Sequence, residues 1–375
     1  MSLAIRDYFP PAEPLETPAV LRALVDAHRH LAELKGVART IPNERLLLST
    51  LSLQEAQSSS EIENIITTQD ALYRYQIQPE SVDPAGKEVA WYAQGLDAGF
   101  REVSDSGLLT LNTIRKIQAV LEGNDAGFRS TPGTVLRNER TGETVYEPPS
   151  PLEVPALMAE LERYIHEDSA VDPLVRMAVI HHQFETIHPF YDGNGRTGRI
   201  VNILFLVRAG LLDSPILYLS RYISQTKEAY YTELQQVRDT GEWESWLLYL
   251  LRGVAVTARH TTALVEAIGH LLQRHKHFIR DHYRFYSQDL INNIFRHPYT
   301  KVAFVEGDLG VSRATATRYL DALAKGGILE KHRLGRENYY INHELVKLLF
   351  ELPPMEVDPK NHQSGLVSGV SRSDG

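Results

Sequence analysis

The chain contains no cysteine, so disulfides and thiolate metal sites are excluded, and a reducing compartment suits such a sequence. Long apolar runs are missing too. None reaches the roughly 18 residues that a membrane span requires. The first residues carry Arg6, Asp7 and the prolines Pro10, Pro11, Pro14 and Pro18, without the apolar core of a signal peptide. A cytoplasmic protein with no membrane partner is expected. An overall basic excess is also absent. The net charge is −9, which argues against whole-chain binding of nucleic acid, although charge can be unevenly spread. No internal repeat is visible. What is present is ordinary for a globular protein: 43% hydrophobic and 23% charged residues in 375, enough for two or three domains.

The hydrophobic spacing is mainly helical. Residues 1–18 read as extended. From Pro18, the residues Val20, Leu21, Leu24, Val25, Leu31 and Leu34 follow a helical period, with Gly36 as the stop. A second helix is expected over 42–56. Ser58-Ser59-Ser60 follows, and Ser60 with Glu63 has the spacing of a capping box, which reads as a helix start. On a helix, Ser59 and Glu63 share a face. Residues 79–86 form a loop, and helices cover 87–104 and 110–122. Thr134–Asn138 and Glu143–Tyr146 are β-prone runs around Glu139-Arg140-Thr141-Gly142 and read as a hairpin. With no sheet to join, that hairpin is either an edge decoration or a flap over a site. Further helices are expected over 153–166, 173–187, 196–212, 220–239 and 243–259, then a long polar helix. His275, His277 and His282 lack the spacing of a helical metal pair and read as a solvated face.

The C-terminal part changes character. Residues 300–308, Gly310 and Ser312 to Lys325 read as helix, turn, helix, with Ser312 as N-cap. Ala316, Leu320 and Leu323 mark the buried face, leaving Arg313, Thr315 and Arg318 outward. Ile328–Leu334 and Tyr339–Ile341 flank Gly335-Arg336 as a two-stranded wing with a basic tip. From Arg274 to Lys347 there are 13 Lys/Arg against 8 Asp/Glu, a balance of +5 in a chain of −9. Such asymmetry suits a DNA-binding face, while winged-helix modules also serve protein interaction or dimerisation. After Leu352 the composition is that of a disordered tail.

One stretch concentrates chemistry: His188-Pro189-Phe190-Tyr191-Asp192-Gly193-Asn194-Gly195-Arg196-Thr197-Gly198-Arg199. It lies between two apolar helical runs and reads as helix, tight loop, helix. The parts suit phosphoryl chemistry. Gly193, Asn194 and Gly195 can turn their N–H groups into an anion cup at a helix N-terminus. Asp192 is a hard ligand suited to Mg²⁺. Arg196 and Arg199, one turn apart, can both reach a polyphosphate. His188, which titrates near neutrality when unperturbed, can act as base. A Walker A loop is ruled out by the absent Lys-Ser/Thr pair.

This stretch resembles the signature of the Fic family, His-Pro-Phe-x-Asp/Glu-Gly-Asn-Gly/Lys-Arg-x-x-Arg, at every defined position. The resemblance implies a mainly α fold: an N-terminal helical region over 1–84, a helical Fic core with a β-hairpin flap over 85–260, a linker helix and winged helix-turn-helix over 261–350, and a disordered tail over 351–375. It implies transfer of AMP from ATP to a Ser, Thr or Tyr hydroxyl of a protein. His188 would deprotonate the hydroxyl, and Asp192 would hold Mg²⁺. The segment Gly193, Asn194, Gly195, Arg196, Thr197, Gly198 and Arg199 would bind ATP, with Arg199 on the γ-phosphate. Gly195 separates the chain from relatives with lysine there, which transfer the γ-phosphate. Tyr231 of the Tyr230-Tyr231 pair would border the nucleotide, with core packing as the alternative. Ser59-Ser60-Glu61-Ile62-Glu63-Asn64 is similar to the family's inhibitory motif, in which Ser59, Glu63 and Asn64 act and Glu63 competes with ATP for Arg199. Removal of AMP by a Glu63-positioned water, a homodimer, and DNA binding through 274–347 beside a nucleotide-sensing core remain as alternatives or additions.

Overall fold

A computed structural model of the chain describes residues 4–7, 9–11, 14–41, 44–68, 84–137, 142–334, 337–350 and 355. Among these residues there are 14 α-helices and two small antiparallel sheets, as the mainly helical expectation required.

Helix α1 (Pro18–Ala38) starts where Thr17 accepts a hydrogen bond from the Val20 amide, with proline in the first turn. Val20, Leu24, Ala27, Leu31 and Leu34 form its buried stripe, laid along α10 (Glu244–His282). Gly36 does not stop the helix: it lacks the left-handed conformation that ends one, and α1 continues to Ala38. Helix α2 (Glu44–Ile62) overturns the expected capping box. The serine cluster lies in its last turns, not at the start of a new helix. Past Ile62 the chain ends the helix as a Schellman motif. Ile65 N–H donates to Ser60 O and Asn64 N–H to Glu61 O, both at 3.0 Å, with Asn64 at φ 61.

Helices α3 (Pro84–Ser106) and α4 (Leu111–Glu122) pair with each other and pack on α7 (Asn194–Arg208). The centre of the molecule is α6 (Pro173–Ile187), buried at every position from Leu174 onward and flanked by α5 (Val154–His166), α7 and α10. That all-round burial explains its continuous apolar run. Between α4 and α5 lies the hairpin of β1 (Leu136–Arg137) and β2 (Thr144–Tyr146), pairing Leu136 with Tyr146; the turn residues 138–141 lie outside the described residues. The helix expected over 220–239 is two, α8 (Leu219–Gln225) and α9 (Lys227–Thr240). The break is at Thr226, whose hydroxyl donates to Tyr222 O and bonds the Tyr249 hydroxyl.

Helix α10 runs 39 residues without interruption through the expected boundary at 260/261. His275 is buried on it, against the ring of Phe295 and near Glu344, which corrects its assignment to a solvated face; His277 and His282 are exposed as expected. Beyond it come α11 (Gln288–Arg296), β3 (Tyr299–Lys301), α12 (Val302–Leu309), α13 (Arg313–Lys325), β4 (Glu330–Leu334), β5 (Glu337–Ile341) and α14 (His343–Phe350). The sheet order is β3-β5-β4. Strand β3 takes residues read as the start of a helix, because cross-strand pairing with β5 outweighs local preference. Helices α12 and α13 and strands β4 and β5 otherwise fall where two helices and two strands are expected. Ala316, Leu320 and Leu323 are buried, while Arg313 and Arg318 are exposed. The wing tip at 335–336, residues 79–83 of the loop expected over 79–86, and the tail apart from Met355 lie outside the described residues, while 84–86 are helical and open α3. Helix α2 touches α3 and α8 on one side, and α11 and α14 on the other.

Candidate active site

The chemistry-bearing stretch occupies the turn from α6 into α7. Helix α6 ends in His188 at φ 48 and ψ 61, a left-handed conformation that costs a non-glycine residue on the order of 1 kcal/mol. Arg129, from outside the stretch, holds it there by donating from Nε to His188 O at 2.8 Å. The loop is braced internally. Asn194 Oδ1 accepts from Phe190 N–H, and Asn194 Nδ2 donates to Phe190 O, both at 2.9 Å. Gly193 is the N-cap of α7 at φ 74, so α7 starts with free-pointing N–H groups at its positive end.

His188 does not titrate near neutrality here. Burial, then the positive charges of Arg238 and Arg129, push it down to about 4. It is a neutral imidazole, and hence a base, across the physiological range.

Arg199 is buried and held by α2. Its Nε donates to Ser59 Oγ at 2.8 Å, and its Nη2 donates to Ser59 O at 3.0 Å and Glu63 Oε1 at 2.7 Å. Burial pushes the Glu63 carboxyl up, but Arg199, with Arg196 and Lys227, outweighs this and holds it below the ordinary carboxylate range. Asn64 supplies the left-handed residue that ends α2 and accepts from Lys227 Nζ at 3.1 Å. All three residues of the expected inhibitory motif therefore converge on the α7–α9 side of the cleft.

The other expected residues divide. Gly195 lines the cleft, and a Cβ there would strike Glu63 and meet Arg199 Nη1 at 3.0 Å. Arg196 is held by carboxylates: Nη1 donates to Glu88 at 2.9 Å and Nη2 to Glu122 at 2.8 Å. The Asn194 side chain is spent on the loop brace, leaving its backbone N–H for an anion. Thr197 is fully buried, and Gly198 lets α7 approach α6, since a Cβ would stand 2.8 Å from Glu185 Oε1. Neither lines the cleft. Asp192 is exposed, with Oδ1 accepting from Gly193 N–H at 2.8 Å. The tyrosine pair splits. Tyr230 is core and bonds His181 at 3.0 Å, whereas Tyr231 is exposed and lines the cleft.

The cleft has a volume of about 1140 Å³, ample for a nucleotide, and is bounded by Glu63, His188, Arg199 and Tyr231. Leu136, Arg137, Val145 and Tyr146 of the hairpin line the same cleft, so the hairpin overhangs a site and is not an edge decoration.

Several residues went unnoticed in the sequence. Glu55 is buried on α2 and accepts from Tyr92 OH at 3.2 Å and Ser220 N–H at 3.2 Å, and from the Ser220 hydroxyl. Burial pushes its carboxyl up to about 7. Its spacing was a usable signal: Glu55, Ser59 and Glu63 recur every four residues on one helical face. Glu185 is likewise buried, pushed up to about 7 by burial, and its Oε1 has no hydrogen-bond partner among the described residues. Glu88 and Glu122, the partners of Arg196, had no local signal.

Three family models match the chain: Fic/DOC family N-terminal over residues 21–101, Fic/DOC family over 108–206, and the SoFic-like protein adenylyltransferase C-terminal domain over 271–345. The chain belongs to the Fic/DOC family. It is 38% identical over 84 residues to a probable protein adenylyltransferase of Aquifex aeolicus (strain VF5), covering 22% of this chain and 26% of that one. It is 28% identical over 177 residues to the protein adenylyltransferase Fic-1 of Caenorhabditis briggsae, covering 46% of this chain and 32% of that one. It thus spans about a quarter to a third of these relatives' lengths. A Fic family protein from Desulfovibrio desulfuricans G20 shares the fold, with a TM-score of 0.55 at 21% identity over 88% of this chain and 98% of that one.

Proposed function

We propose that this chain is a self-inhibited protein adenylyltransferase that moves AMP from ATP to a Ser, Thr or Tyr hydroxyl of a protein, its own chain included. The observation that carries this is the contact of Arg199 with Glu63 across 136 residues, inside a cleft that also holds His188 and the N-terminus of α7.

Neutral His188 takes the proton of the target hydroxyl as its oxygen bonds to the α-phosphorus. The bond from that phosphorus to the bridging oxygen breaks, and pyrophosphate leaves. The N–H groups at the start of α7 and the guanidinium of Arg196 meet the phosphates. Arg199 meets the γ-phosphate once Glu63 withdraws, because carboxylate and phosphate compete for one guanidinium fork. The exposed Asp192 carboxylate fits Mg²⁺, which accepts one protein oxygen beside nucleotide oxygens and waters. When bound there, the ion would neutralise charge on the phosphates. The hairpin edge offers a target peptide a strand to pair with, and Tyr231 borders the nucleotide base.

The test is intact-mass analysis with labelled ATP against a lysate, using the wild type, Glu63→Gly and Glu63→Gly/His188→Ala. Label on protein with Glu63→Gly, less with the wild type and none with the double variant is expected. An unlabelled Glu63→Gly sample rejects the proposal. Incubating labelled target with the wild type also reads AMP removal.

The exposed Arg313 and Arg318 on α13, within the +5 segment, favour a second role: binding DNA while the core senses nucleotide.

A further inference from the structure

Two arginines that the proposed chemistry leaves unused converge on the end of α6 and the turn at His188. Arg129 comes from the loop after α4. Its Nε donates to His188 O at 2.8 Å and its Nη2 to Ile187 O at 3.2 Å. Its own backbone N–H donates to Pro189 O at 2.8 Å. Three consecutive carbonyls of the left-handed turn thus end on one residue. Nη2 also donates to Pro149 O at 2.6 Å. Arg129 precedes the β1–β2 hairpin and Pro149 follows it. One guanidinium therefore closes the base of the hairpin and fastens it to the histidine.

Arg238 comes from α9 and holds the last turn of α6 just before His188. Its Nη2 donates to Glu185 O at 3.1 Å and its Nε to Thr186 Oγ1 at 3.1 Å. Its guanidinium carbon stands 4.0 Å from the ring centroid of Tyr146 in β2. Both arginines are only 3% exposed. A planar fork whose donors meet several fixed carbonyls at once is something lysine cannot copy.

We propose that Arg129 and Arg238 are positioning residues for the His188 base: two guanidinium clamps that bind the strained turn and both limbs of the hairpin into one unit. The base and the strand that presents the target hydroxyl then keep a fixed separation. This matters because displacing a reacting group by about 1 Å can cost about 100-fold in rate. The clamps also act by charge. The charged groups that line the cleft of His188 are Glu63 on α2, Arg137 on β1, Glu185 on α6, Arg199 on α7, and Lys227, Glu228, Arg238 and Asp239 on α9; Arg129 acts on it from outside that lining. Removing either clamp's positive charge makes the imidazolium easier to form.

The inference rests on the proposed AMP transfer only for its kinetic readout. The test uses the full chain in the Glu63→Gly background, with Arg129→Lys, Arg129→Gln and Arg238→Gln. Hydrogen exchange is followed by mass spectrometry alongside transfer kinetics and melting. In Arg129→Lys, peptides covering 142–149 and 187–191 should exchange faster together while α10 peptides do not change. Its kcat should fall about tenfold or more, with the ATP KM within about twofold and the acid limb of the rate profile unmoved. The two glutamine variants should lose kcat similarly and shift that limb to higher pH. Hairpin exchange that rises without the 187–191 turn, or Arg129→Lys with the parent's kcat, overturns the clamp. If the parent transfers no AMP while the two segments loosen together, the functional proposal falls and the clamp stands.

Discussion

Burial sets the behaviour of three titratable side chains around this cleft, and it acts on them in opposite senses. It keeps His188 neutral by penalising the imidazolium, and Arg238 and Arg129 reinforce it. The rate of a disinhibited variant should therefore lose its His188 base only as pH falls through about 4, with no acid limb from that histidine near pH 6.5. A pH–rate profile of Glu63→Gly with an acid limb centred at 6.5 would contradict this. For Glu55 and Glu185, burial raises the carboxyls to about 7. A carboxyl raised above its unfolded value stabilises the fold fully below about pH 4.5, and that stability is lost as pH rises through about 7. Glu55→Gln should therefore weaken the decline of Tm between pH 5 and 8. The expected gain at pH 8 is on the order of 1 kcal/mol, or roughly 2–4 °C. Parallel melting curves for variant and wild type would remove Glu55 as the cause.

At the scale of the element, α2 occupies Arg199 through Ser59 and Glu63, and the proposed inhibition rests on that contact. The position of the helix depends on its end as well as on its face. The Schellman ending requires a left-handed residue at 64, a conformation that asparagine and glycine adopt readily and a β-branched residue does not. Asn64→Gly should leave the low basal transfer intact. Asn64→Val should strain the end of the helix by about 1–2 kcal/mol, displace Glu63 and raise autoAMPylation severalfold. Equal basal rates for the two variants, measured with labelled ATP, would show that the helix end does not control Glu63. The face of α2 is anchored by Glu55 on Ser220 and Tyr92, which makes Ser220→Ala a milder way to reach the same release.

The whole molecule joins these parts through two helices. Helix α10 runs from the core into the C-terminal unit, with α1 along it. Helix α2 lies between the core helices and the C-terminal helices α11 and α14, with Gln54 donating to Leu349 O. No helix among the described residues is long and apolar enough to cross a membrane. If the basic face of α13 binds DNA, the full chain should bind duplex DNA with an affinity that falls steeply with salt, and Arg313→Ala/Arg318→Ala should reduce that salt slope by about 2. Titrations at several salt concentrations check this, and a slope unchanged by the double variant would move the DNA contact elsewhere or exclude it.

Local chemistry determined the parts. The glycine-rich turn at 193–195, the apolar runs on both sides of it, the capped helix at Ser312 and the hairpin at 136–146 all follow from spacing and turn preference, which neighbouring residues alone decide. The Ser59–Asn64 segment was legible only in part. Its spacing suggested a cap, and its likeness to a known motif suggested the pairing with Arg199. Tertiary structure decided the pairings between distant residues. Glu63 reaches Arg199, Glu88 and Glu122 take Arg196, Arg129 grips the turn at His188 and Arg238 the end of α6 before it, each across tens to more than a hundred positions. Burial, too, was settled only by packing: it moved His188 away from neutrality and placed His275 inside. A charge's partner and its dielectric surroundings are properties of the folded neighbourhood, which no local window of sequence contains.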